Sequence, residues 1–181
     1  MILEPFPQFR PSHFRVKFAT SPWEQRACAE LRRRVFCEEQ QMFQGDDRDA
    51  ADAYAIPICA LSTIGADSDA VVGTVRIHEA PGRPGEWWGS RLAVARQFRR
   101  TATLGAGLIQ IAVSSAHARG CTRFLAHVQS PNVALFETLH WERIDDVELH
   151  GRPHCLMQAD LAAYPPMHDP EHGLVTLQRT A

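Results

Sequence analysis

The chain has 181 residues, 45% hydrophobic and 22% charged, with 19 Lys and Arg against 21 Asp and Glu. That length holds one well-packed domain and not two comfortable ones. A formal net charge of −2 gives no electrostatic basis for binding nucleic acid or an anionic membrane surface.

The first 13 residues carry three prolines and read as an extended lead-in, without the basic and apolar regions of a signal peptide. "FRVKFA" (14–19) alternates and suits an edge strand. Ser21-Pro22 then opens a helix with apolar positions at Trp23, Ala27, Leu31 and Val35. "MFQGDDRDAAD" (42–52) is an acidic loop. "YAIPICALS" (54–62) and "AVVGTVRIHE" (70–79) are β-branched runs joined by a polar turn, which makes a hairpin. "GRPGE" turns the chain again into the strand "WWGSRLAV" (87–94).

Leu104, Leu108, Ile111, Ala112 and Ser115 recur at helical spacing, and this second helix ends near Gly120. "RFLAHV" (123–128) is a short buried strand. Asn132 is an N-cap candidate for a short helix over "NVALFETLHW". Residues 142–161 form a hairpin turning at Gly151-Arg152-Pro153. The tail, 164–181, is polar and expected to be loosely ordered. With neither repeats nor a linker, the order β-α-β-β-β-α-β-α-β-β reads as one α/β domain, 1–163, with a mostly antiparallel sheet. Five scattered cysteines (Cys28, Cys37, Cys59, Cys121, Cys155) without a CxxC pair suit small buried side chains in a reducing cytoplasm. No apolar run approaches the roughly 18 residues of a spanning helix.

The junction between the strand at 87–94 and the second helix carries the functional question. A helix N-terminus offers unpaired N–H groups and the positive end of the dipole to an anion. Here Arg99 and Arg100 precede Thr103-Leu104-Gly105-Ala106-Gly107. The segment reads equally as a phosphate cradle or as a loop whose glycines let a helix pack closely on a sheet.

The surrounding text, "LAVARQFRRTATLGAGLI" then "FLAHVQSPNVALFETLHW", resembles the GNAT superfamily of acetyl-CoA-dependent N-acetyltransferases. The signature Q/R-x-x-G-x-G/A falls on Arg100, Thr103 and Gly105, with Thr103 in place of the first glycine. A later element of the type N…L-Y-E-x-L-G-F falls on Asn132 and Leu135–Trp141. "LRRRVFCEEQ…DDRD" is similar to a branch of small bacterial acetyltransferases, some associated with nitrogen starvation, and in part to acyl-homoserine-lactone synthases.

The resemblance implies a mixed, mostly antiparallel sheet of about six to seven strands, with helices on both faces and a splayed central pair. It implies acetyl-CoA as co-substrate, a small-molecule amine as acceptor, no metal, and leaves a homodimer open. The main chain of Leu92, Ala93 and Val94 would pair with the pantetheine amides. Arg99, Arg100 and the backbone of Thr103, Leu104, Gly105, Ala106 and Gly107 would hold the pyrophosphate. Asn132 would reach the pantetheine arm, or act only as a helix cap. Phe136 stands where many members place a tyrosine that protonates the leaving thiolate.

Glu39, Glu86, His78 and His127 are candidates for the base that takes the amine proton, with Glu39 (from the E-Q of the branch pattern) and His127 the leading pair. Arg76 and Arg91 lie inside apolar strands, where an unpaired charge is costly. The branch pattern offers Asp46 and Asp49 as their partners. The set either binds a carboxylate-bearing acceptor or pins the acidic loop. His150, His154 and Cys155 lack the further ligands of a metal site and read as a hairpin turn. Two alternatives stand beside N-acetyl transfer. One is a longer-chain acyltransferase like the homoserine-lactone synthases, against which Trp88 counts, since those enzymes carry an acidic residue there. The other is a non-catalytic acyl-CoA sensor.

Overall fold

The computed structural model describes residues 13–64, 67–99 and 102–177. Eight strands form a single sheet: β1 (His13–Phe18), β2 (Ile56–Ile64), β3 (Asp67–Glu79), β4 (Glu86–Val94), β5 (Arg123–Gln129), β6 (Trp141–Leu149), β7 (Arg152–Ala159) and β8 (Leu174–Leu177). Their order is β6-β7-β5-β4-β3-β2-β1-β8, and every pairing is antiparallel except β4 with β5. Three helices pack on it: α1 (Pro22–Arg33), α2 (Ala102–Ala118) and α3 (Val133–Thr138).

Period-2 alternation divides the core between two faces. On β2, Ile58 and Ala60 pack with Leu104, Leu108 and Ile111 of α2, whereas Cys59 and Leu61 pack with Cys28 of α1. The two long helices therefore lie on opposite faces. Helix α1 begins as its sequence implies: Ser21 accepts from the Glu24 N–H, and the Glu24 carboxylate accepts from the Ser21 N–H. It ends in a π-helical turn, Arg34–Glu39, that leads the chain back over the sheet.

Three expectations are corrected. The strand at 14–19 is not an edge strand, because β8 pairs along its outer side from His13↔Leu177 to Val16↔Leu174. The tail is correspondingly not loose over 164–177. Tyr164 is buried, its hydroxyl accepts from Trp141 Nε1 (3.1 Å) and donates to the Leu139 carbonyl, and the chain then runs back to add the eighth strand. "LVTL" is too short to read as a strand, and only its alternate residues Leu174 and Thr176 face α2 while Val175 and Leu177 stay exposed. The hairpin turn also sits one residue earlier than expected, at His150-Gly151, both with positive φ.

Gly173 holds β8 against β1. Its φ is +68°, and a Cβ there would meet the Val16 carbonyl oxygen at 1.9 Å. Gly173→Ala should lower stability by more than the roughly 1–2 kcal/mol of the left-handed conformation alone. Gly151→Ala, with the same φ and nothing within 4 Å, supplies the comparison. Equal losses in thermal melts of the two variants would show that the close approach is not what holds the tail.

Candidate active site

The site is built on a break in the sheet. β4 and β5 pair at only three positions, Glu86↔Arg123, Trp87↔Phe124 and Trp88↔Leu125. Beyond them β4 follows β3 and β5 follows β7, so the strands diverge from Gly89 onward. A bulge accompanies the divergence: Thr74↔Ala93 and Arg76↔Ser90 leave Arg91 and Leu92 opposite the single residue Val75. Arg91 adopts φ +56°, a conformation costly for a non-glycine residue unless its surroundings enforce it.

The enforcement is an ion network whose core, Arg32, Arg76 and Asp47, is buried. Arg91 donates to Asp47 Oδ2 (Nε, 3.0 Å), to the Asp47 carbonyl (Nη2, 2.8 Å) and to Asp49 (Nη2, 3.1 Å). Arg76 pairs with Asp49 (2.6 Å) and Asp52 (2.7 Å) and donates to Ser90 Oγ (2.9 Å). Arg32 of α1 pairs with Asp47 (2.8 Å) and Asp52 (2.7 Å). Burial by itself would raise the carboxyls of Asp49 and Asp52, but the guanidiniums outweigh it and hold both below the usual range. The partners of Arg76 and Arg91 are thus Asp47, Asp49 and Asp52. Asp46 is not among them: it is exposed and pairs with Arg48. Arg32 was legible in retrospect, because it falls on the buried stripe Cys28-Leu31-Arg32-Val35, where a charge requires a partner.

Between the diverging strands lies a cavity of ≈ 540 Å³. It is lined by Leu92 of β4, Asn132 and Phe136, and by Ile109 and Ala112 of α2. The segment after α1 arches over it. Arg152 Nη2 donates to the Gln40 carbonyl, Gln129 Nε2 donates to Gln40 Oε1 (3.0 Å), and Phe43 meets the His150 ring at 4.6 Å.

His78, His127 and His154 all face this cavity. The His127 ring lies 5.1 Å from that of Trp88, whose Nε1 is fixed by Glu86 (3.1 Å). His127 is exposed on β5, and partial desolvation, then the neighbouring His154, lowers its pKa; burial, and then the Arg76 charge, lowers that of His78. Neutral imidazoles result, able to accept a proton.

Glu39 does not line the cavity. Its carboxylate pairs with Arg99 Nη2 (2.6 Å), and Arg99 Nε donates to the Val94 carbonyl (2.9 Å). Glu86 also lies off the cavity, engaged by Arg83 and Trp88. Ala93 packs against the end of α1, and Val94 against the main core. Arg100 lies outside the described residues.

Thr103, Leu104, Gly105, Ala106 and Gly107 form the first turns of α2, and they divide the cradle question between them. Gly107 is a packing glycine: a Cβ there would meet Thr176 Cγ2 at 2.9 Å and Val16 Cγ2 at 3.3 Å. Leu104 is fully buried and anchors the turn. Gly105 faces open space, with nothing within 4 Å. Asn132 makes no side-chain capping bond and lines the cavity instead, so its simpler role as a helix cap is not realised.

Residues 20–141 match the model of the Acetyltransferase (GNAT) family. No curated protein matches the sequence. Among solved structures, Escherichia coli ElaA is similar at 18% identity, with 81% of this chain and 98% of that one covered and a TM-score of 0.67. An acyl-CoA N-acyltransferase from Pseudomonas aeruginosa is similar at 18% identity, 81% and 99% coverage and a TM-score of 0.64. FeeM, an N-acyl amino acid synthase from uncultured soil microbes, is similar at 10% identity, 83% and 93% coverage and a TM-score of 0.65.

Proposed function

The chain belongs to the GNAT acetyltransferase family and is an acyltransferase, and from that premise we propose that it transfers an acetyl-type group from acyl-CoA to the amine of a small molecule by direct attack on the thioester. The observation that carries this reading is the cavity in the β4–β5 splay, which opens beside an unpaired stretch of β4 main chain and faces three histidines. In the proposed complex the main chain of Leu92–Val94, on the side that β5 leaves and apart from the Val94 carbonyl held by Arg99, pairs with the pantetheine amides, and Asn132 steadies the arm. The N–H groups at the start of α2 take the pyrophosphate across the open side of Gly105.

The acceptor enters from the α1 face, beneath the arch at Phe43. His127 takes the proton as the amine nitrogen bonds to the thioester carbon; the C–S bond then breaks and CoA leaves as the thiolate, which takes up a proton from water. Phe136 supplies no proton, and none is required of it, because a thiolate is a fair leaving group. Arg76 and Arg91 serve here mainly to fix the bulge and the arch, with Asp49 at the cavity wall beside the acceptor.

Acetyl-CoA or CoA at ~100 times its dissociation constant should stabilise the protein by ~2.7 kcal/mol. Gly105→Val should abolish that gain while leaving the unliganded melting temperature nearly unchanged, because the added side chain enters open space. The reading fails if millimolar CoA shifts no melting temperature, or if a broad amine panel releases no thiol above background hydrolysis. A Gly105→Val protein that still binds CoA normally would place the pyrophosphate elsewhere.

A further inference from the structure

We propose, resting on the acyl-CoA reading above, that Arg99 is a positioning residue with two alternative partners. In the free protein it holds Glu39; in the complex it holds a CoA phosphate, so donor binding unfastens the arch from one side of the splay. β4 and β5 run parallel, and their last residues, Val94 and Gln129, stand at the open end where the strands have diverged. Two consecutive residues bridge that gap. Glu39 pairs with Arg99 Nη2 (2.6 Å), and Arg99 Nε is itself anchored on the Val94 carbonyl (2.9 Å). Gln40 is tied to the other side: its Oε1 accepts from Gln129 of β5 (3.0 Å) and its carbonyl from Arg152 of β7. Glu39 and Gln40 thus form a strap from the end of β4 to the end of β5, across the mouth of the splay.

The tie on the β4 side is the one that can be exchanged. The Glu39 side chain is 26% exposed and that of Arg99 41%, and an ion pair this open to solvent is weak. A phosphate is the stronger partner for the same guanidinium, because it offers charge-assisted bonds from two oxygens. Arg99 lies in the segment 95–101 that joins β4 to α2. It therefore stands on the route from a pantetheine arm along β4 to a pyrophosphate at the start of α2. Keeping Glu39 in place as the donor seats would set a carboxylate against the phosphates. Glu39 also closes the π-helical turn Arg34–Glu39, a backbone form found mostly at functional sites.

The test measures CoA affinity by calorimetry in the native protein, Glu39→Gln, Arg99→Gln and the double variant. Pantetheine, which lacks the phosphates, is the second probe. Glu39→Gln should bind CoA about two- to fivefold more tightly, because the competing pair is gone, and should bind pantetheine as the native protein does. Arg99→Gln should weaken CoA about tenfold or more, the loss of a hydrogen bond between charged groups. On the Arg99→Gln background, Glu39→Gln should make no further difference. A tightening that persists there would show Glu39 repelling phosphate through space and would overturn the exchange. So would a Glu39→Gln protein that binds CoA no more tightly than the native one. Amide hydrogen exchange reads the strap itself. The Gln40 and Met42 N–H groups, bonded to the Val35 and Phe36 carbonyls, should exchange faster in the native protein with CoA and in Glu39→Gln without it. Exchange there that CoA slows or leaves unchanged would overturn the release while leaving the acyl-CoA reading in place. If neither CoA nor pantetheine binds the native protein, that underlying reading falls as well.

Discussion

His127→Gln should lower kcat by about 10²–10⁴-fold, the usual contribution of a positioned general base. In the proposed mechanism this imidazole is the base: it faces the cavity, its ring lies against Trp88, and partial burial together with His154 lowers its pKa. The direction of that shift fixes the pH profile. A base acts when unprotonated, so a lowered pKa keeps His127 competent at neutral pH, and activity should fall only as pH drops below the ordinary imidazole value of about 6.5. Glutamine keeps a polar side chain but cannot take the proton, so this acidic limb should vanish from the residual activity of the variant. Glu39→Gln should lower kcat far less, because the Glu39 carboxylate is spent on Arg99 and lies off the cavity. A His127→Gln enzyme within threefold of the native rate, beside a Glu39→Gln enzyme that is nearly inactive, would reverse the assignment.

Asp47→Ala should cost about 1.5–3 kcal/mol of stability, the worth of buried hydrogen bonds to charged groups. Asp47 is 1% exposed and serves two cations at once, Arg32 of α1 and Arg91 of the β4 bulge. Without it Arg32 keeps Asp52 and Arg91 keeps Asp49 and the backbone, so the loss falls on the geometry linking helix to strand. The exposed neighbour Arg48 provides the control, and Arg48→Ala should change stability by less than about 0.5 kcal/mol. Chemical denaturation of both variants checks the pair. An Asp47→Ala loss under about 1 kcal/mol would mean that the network is not what holds the bulge. Acid should act in the same direction. Asp49 and Asp52 titrate below their unfolded value near 3.9, so the stability they contribute is complete above that pH and drains away as pH falls toward their folded pKa values.

The order of elements, the helix start at Ser21-Pro22 and the period-2 alternation of β2 were properties of the sequence, because each depends on residues close together in the chain. Leu92, Asn132 and Phe136, drawn together by the spaced motifs, and His127, by its place on the facing strand, line one cavity. Pairing across the fold was decided elsewhere. Asp47 and not Asp46 reaches Arg91, although the two aspartates are chemically identical neighbours. Only the direction each side chain takes from the folded loop separates a carboxylate that is 1% exposed from one in solvent. Glu39 and His127 looked equivalent as bases until the tertiary structure gave one to Arg99 and the other to the cavity. The two glycines of α2 likewise diverge, Gly107 against β1 and β8 and Gly105 toward open space. Their difference depends on the eighth strand, whose four residues bury too little on their own to announce themselves and become a strand only because β1 offers an edge.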